Sequence, residues 1–135
     1  MRQSGKNQKR TIAVLLTGLF MVQQTMGLSV FAASTISGVT NGGSGSFNID
    51  PTTKNNGTGF RHYQDFNLGQ GDVANLNFAD INTFVNMVDN QVVINGIVNS
   101  VRGNGFYNGK AVFISPNGMV VGASGVLNVG SLGVY

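Results

Sequence analysis

A chain of 135 residues has room for one domain, and this one holds 20 glycines, no cysteine, no tryptophan, no glutamate and only 10% charged residues. The formal charge of +3 belongs to one end: Arg2, Lys6, Lys9 and Arg10 lie in the first ten residues, and beyond them four bases (Lys54, Arg61, Arg102, Lys110) face five acids (Asp50, Asp65, Asp72, Asp80, Asp89). The basic balance therefore gives no argument for nucleic acid or an anionic membrane as a partner, and stability has to come from packing and backbone hydrogen bonds without disulfides.

In chain order, the basic start is followed by the apolar run Ile12 to Val22, broken by Gln23-Gln24, and Val30-Phe31-Ala32 sets small or β-branched residues around a cut after Ala32. Residues 1–32 thus have the layout of a helical secretory signal peptide, with an apolar core short for a membrane span. An uncleaved anchor is the alternative, because Met26 to Phe31 extends the apolar stretch. Residues 33–59 are small, polar and rich in glycine, and read as an N-terminal cap or a linker. Ile36, Val39, Phe47 and Ile49 favour a cap, since a stacked coil needs a lid over its open end. Gly42-Gly43-Ser44-Gly45 resembles one calcium-binding nonapeptide unit, but Phe47 stands where an aspartate ligand is required and the unit occurs once.

Aromatic residues gather from Phe60 to Phe78, and Tyr63, Phe66 and Phe78 are the expected core of a first coil. His62 is the single histidine, with no cysteine or glutamate to join it in a metal site. A Ser-His-Asp set using His62 and Asp65 lacks a strained nucleophile elbow, and Gly103-Asn104-Gly105 lacks the third glycine and the helix of a dinucleotide loop. No catalytic, metal or cofactor site is expected, and His62 is read as a surface or structural residue.

Phe78, Ile81, Val85, Val88 and Val92 fall at helical spacing. The intervening asparagines and the β-branched residues oppose a helix, so the segment is read as strand, turn, strand. Asn95-Gly96-Ile97-Val98 returns as Asn117-Gly118-Met119-Val120 about 22 residues later, close to one rung of a solenoid. Asparagines at repeated corners are expected to stack their amides from rung to rung. Between Ala111 and Leu132, three short apolar runs are separated by turn chemistry alone, with Ser115-Pro116-Asn117-Gly118 as a tight turn and Gly122 to Gly125 as the next corner. The fold class expected is all-β, a parallel β-helix over residues 60–135. The chain stops at Tyr135 in mid-pattern, which reads as a fragment or the first part of a longer product.

Taken together, His62-Tyr63-Gln64-Asp65-Phe66-Asn67-Leu68-Gly69, Val73 to Phe78, Asn95-Gly96-Ile97 and Ala111 to Met119 resemble the secretion domain of two-partner-secretion exoproteins, the family of filamentous haemagglutinin and the high-molecular-weight adhesins of Gram-negative bacteria. The resemblance covers residues 60–132. Ser115 and Met119 replace the Asn and Ile of the family's Asn-Pro-Asn-Gly-Ile motif, and the Asn-Pro-Asn-Leu motif of some subfamilies is missing. The resemblance implies a right-handed parallel β-helix with an N-terminal cap, exported to the cell surface or secreted. It implies as partner an outer-membrane β-barrel transporter with periplasmic polypeptide-transport-associated domains. Partner recognition or fold nucleation would fall on Phe66, Asn67, Asn95, Gly96, Ser115, Pro116, Asn117, Gly118 and Met119, with Phe66 rather a core residue. A surface protein binding host glycans or receptors through Tyr63, Phe106 and Tyr107 is the alternative. A polysaccharide-acting enzyme is disfavoured by five scattered aspartates and no glutamate.

Overall fold

The computed structural model describes residues 33–43 and 45–135, and the leader with its cut after Ala32 lies outside them. The described residues contain no helix; they form a parallel β-solenoid of three coils and part of a fourth. Each coil lays one short strand in each of three sheets. The first uses β2 (Ser46–Ile49), β4 (Thr58–Tyr63) and β5 (Phe66–Leu68), and the second β6 (Val73–Asn77), β7 (Thr83–Val88) and β8 (Val92–Ile94). The third uses β9 (Ile97–Arg102), β11 (Lys110–Ile114) and β12 (Met119–Val121), followed by β13 (Val126–Asn128) and β14 (Ser131–Val134). Between β9 and β11 the chain inserts β10 (Gly105–Phe106), which folds back antiparallel on the end of β9.

The register is parallel from coil to coil. In the first sheet Ser46 pairs with Val73, Val73 with Ile97 and Ile97 with Val126. In the second Thr58 pairs with Thr83, Thr83 with Lys110 and Lys110 with Ser131, and in the third Phe66 pairs with Val92 and Val92 with Met119. Strand alternation then sends every second side chain inward. Phe47, Ile49, Ala74, Leu76 and Val98 fill the prism from the first sheet, Phe84, Val88, Ala111 and Phe113 from the second, and Phe66, Leu68, Val92 and Ile94 from the third. Tyr63, Phe66 and Phe113 meet edge to face with centroids 5.3 Å apart, the favoured geometry for aromatic quadrupoles.

At the N-terminal end the parallel pattern stops. The strand β1 (Thr35–Ile36) runs antiparallel to β5, β3 (Thr53–Asn55) runs antiparallel to β4, and Asn41 bridges Phe47 of β2 in the same sense. Short antiparallel segments thus cover the first parallel strands of two sheets and one residue of the third, and short, irregular edges of this kind template pairing with other chains poorly. Arg61 ties the cap down: its guanidinium donates to the carbonyls of Asp50 (2.9 Å) and Gly38 (3.0 Å). The capping strands are β1 and β3, while β2 between them pairs in parallel with β6 and belongs to the first coil.

Two readings of the pattern are refined. In the segment from Phe78 to Val92, a turn at residues 79–80, where Asp80 takes a positive φ (64°), leads into β7, and a bend at residues 89–90 separates β7 from β8, so the helical spacing does not build a helix. The repeat of Asn95-Gly96-Ile97-Val98 at Asn117 is not a register repeat. Ile97 stands beside Val73 and Val126, while Met119 stands beside Val92, so the two copies occupy different corners of the coil.

Candidate recognition corner

The turn that joins β11 to β12 is built from its own residues. The Gly118 amide donates to the Ser115 carbonyl at 3.2 Å, closing a four-residue turn with Pro116 and Asn117 at its centre. Pro116 presets φ for the first central position. Gly118 alone carries a positive φ (78°), so Asn117 keeps an ordinary backbone and the corner has the serine, proline and glycine placement of a type I turn. The Ser115 hydroxyl accepts the Asn117 amide at 3.1 Å and donates to the Asn90 carbonyl of the coil below at 2.8 Å. The Asn117 side-chain amide donates to the Asp89 carbonyl at 3.2 Å.

That lower corner continues the column. Asn90 donates from its side chain to the Asp65 carboxylate at 2.8 Å, and the Asp65 amide donates to the Ser37 hydroxyl at 3.0 Å. His62 and Asp89 meet on the same flank at 2.7 Å, both more than half exposed, so their pairing adds little to stability. Ser115 is buried, whereas Pro116 and Asn117 face solvent. The corner is thus a polar staple running across the coils, with an exposed Pro-Asn tip.

Of the residues singled out in the sequence, two blocks share one strand column beside this corner. Met119 lies two coils above Phe66 in one strand column, and Val120 lies above Asn67 through Val93. Phe66 is fully buried against Tyr63 and Phe113 and offers no surface.

No protein-family model, curated protein or solved structure matches the chain.

Asn95 and Gly96 lie apart, at the corner between β8 and β9. The Asn95 amide donates to the Leu68 carbonyl at 2.8 Å, and Gly96 is buried against the backbone of the coil below, with the space of a Cβ taken by the carbonyls of Gly69 and Asp72. Gly96 is buried and Asn95 half-buried, and both hold one coil against the next. The aromatic residues offered for glycan stacking divide as well. Tyr63 is only 1% exposed, and the Tyr107 ring lies under the Arg102 guanidinium at 3.6 Å, which leaves Phe106, 62% exposed.

Sequence reasoning missed Asp89, Asn90 and Ser37 as members of the corner column. The signal for Asp89 and Asn90 is a polar run, Asp89-Asn90-Gln91, set between two apolar strands, and Ser37 follows the apolar Ile36 with no such run around it. It also missed Asn86, which points inward and is buried. The Tyr63 hydroxyl donates to its side-chain oxygen at 2.6 Å, and its nitrogen donates to the Val112 and Phe84 carbonyls at 3.2 and 3.3 Å. Burial holds the Tyr63 phenol well above its ordinary range, partly offset by the nearby Arg61 charge. Among the described residues no group of three or more His, Cys, Asp or Glu side chains converges on one point.

Proposed function

We propose that the chain is the N-terminal secretion domain of a two-partner-secretion exoprotein, recognised by an outer-membrane β-barrel transporter through its periplasmic domains and folding coil by coil at the cell surface. The observation that carries this reading is the corner column. It joins Ser115 and Asn117 to the corner below, beside the strand column in which Met119 and Val120 of the Ser115–Met119 block stack above Phe66 and Asn67 of the family resemblance. The turn at Ser115–Gly118 closes through bonds among four consecutive residues, so it can form in a chain that has not yet coiled. That suits an address read before folding. Once the chain emerges, the same turn staples the third coil to the second through Asn90 and Asp89.

Sequential export is compatible with the rest of the molecule. Parallel coils contact only their neighbours, so folding propagates from a capped end. The absence of cysteine leaves no cross-link to obstruct passage through a pore. The reading involves no cofactor and no covalent step.

The test is surface appearance of Pro116→Ala and Asn117→Ala variants in cells that also produce the partner barrel. Both should accumulate in the periplasm and fail to reach the surface. Pro116 donates no bond, and its replacement relaxes only the unfolded chain, by less than about 1 kcal/mol. The purified Pro116→Ala chain should therefore melt close to wild type. Normal surface display of both variants contradicts the reading, and loss of display in proportion to lost stability makes the corner a purely structural element.

A further inference from the structure

The outer face of the first sheet carries a feature that the export reading does not use. Asn48, Asn75, Asn99 and Asn128 occupy the outward position of β2, β6, β9 and β13 in strict register. Each side-chain nitrogen donates to the side-chain oxygen of the asparagine one coil below. The distances are 3.1 Å from Asn75 to Asn48, 3.2 Å from Asn99 to Asn75 and 2.9 Å from Asn128 to Asn99. The amides form the floor of an open trough of about 880 Å³. The segment Val101–Phe106 folds back as its wall, with the Phe106 ring standing 62% exposed on it.

The wall is held firmly. The Ser100 hydroxyl donates to the Tyr107 carbonyl at 2.5 Å. Arg102 turns away from the trough, donating to the carbonyls of Phe78 (2.9 Å) and Ile81 (2.7 Å) and stacking on Tyr107. Its charge is therefore spent on the scaffold, and no ionisable side chain lines the trough.

From these observations we infer that the trough binds an extended, uncharged glycan. An amide in the ladder uses one N–H and one oxygen lone pair along the ladder and keeps a second N–H and a second lone pair for a ligand. The ladder fixes which way each amide points, so these spare donors and acceptors are ordered before binding, which lowers its entropic cost. They repeat at the inter-strand spacing of about 4.8 Å, comparable to the rise from one pyranose ring to the next in an extended polysaccharide. Alternating hydroxyls match a row of paired donors and acceptors, and the C–H face of a sugar matches an exposed aromatic ring. A neutral lining offers nothing to a phosphate backbone or an acidic polymer. The floor is too polar for a lipid. An extended peptide would instead pair with the outer backbone edge of β13, which bonds to β9 on one side only, and would leave the side-chain amides of the ladder unused.

The inference stands independently of export, and its test uses the whole chain purified without the partner barrel. Affinity electrophoresis would be run in gels containing glucomannan, galactomannan or β-glucan, and in parallel gels containing heparin or polygalacturonate. At least one neutral polysaccharide should retard the protein, and the charged ones should not. Phe106→Ala should weaken that retardation about tenfold, and Asn99→Thr, which breaks the ladder while keeping a strand-forming residue, should weaken it similarly. Because Phe106 is exposed, its variant keeps the fold, as an unchanged melting temperature will show. Absence of retardation by every neutral polysaccharide, equal retardation by the charged ones, or undiminished binding by Phe106→Ala overturns the proposal.

Discussion

At Tyr63 the solenoid closes over a hydroxyl and gives it one partner, the inward-facing amide of Asn86. Tyr63→Phe keeps the ring packing on Phe66 and leaves a buried amide oxygen without its donor, at a cost of about 1–3 kcal/mol. A denaturant titration reads this as a lowered midpoint with an unchanged slope. The same residue sets an alkaline limit. Burial raises the folded phenol above its ordinary value, so the contribution to stability is complete below about pH 10 and is lost as pH rises from there towards the folded value. The wild type should lose stability above that point more steeply than Tyr63→Phe. Asn86 itself was hidden in the sequence. An asparagine between Phe84 and Val88 occupies a core position by alternation, yet composition gives no hint that a tyrosine one coil below stands ready to satisfy it.

Among the elements, the strands and the turns at Ser115–Gly118 and Gly122–Gly125 were legible, but which corner of the coil each turn occupies was not. Runs such as Val92-Val93-Ile94 and Met119-Val120-Val121 are too short for helices and too apolar for loops, so β-structure followed directly. The corners of a coil, however, draw on the same few residues, because each needs a turn former followed by an inward apolar side chain. That is why Asn95-Gly96-Ile97 and Asn117-Gly118-Met119 look like copies while serving different corners. The true offsets along the asparagine ladder are 27, 24 and 29 residues, since turn lengths vary from coil to coil and β10 is inserted after β9. The amide ladder was anticipated at corners and is found in mid-strand. Its signal was present as Phe47-Asn48-Ile49, Ala74-Asn75-Leu76 and Leu127-Asn128-Val129, an asparagine flanked by two inward apolar residues. The glycine corner makes its own prediction. Gly96→Ala places a methyl against backbone carbonyls, with Gly69 O at 2.6 Å, and no side chain can rotate aside. It should cost about 1–3 kcal/mol, whereas Gly105→Ala, which meets nothing within 4 Å, should melt within about 0.5 kcal/mol of wild type.

For the whole molecule, the two ends of the described solenoid differ in kind. At the N-terminal end antiparallel strands cover two of the sheets and an isolated bridge meets the third, and coils follow one another in parallel from there. On the proposed reading, this polarity would give folding a starting point, and the corner column along one edge of the coil would be what the transporter reads. The central claim is that this edge is an export address. The most direct measurement is site-specific photo-crosslinking in cells producing the whole chain and its partner barrel, with the reactive side chain at position 117 or, for comparison, at the exposed Ile97 on another corner. An adduct between position 117 and the periplasmic domains of the barrel, much stronger than any from position 97, is the predicted result. No adduct from position 117, or equal adducts from both, would contradict the account.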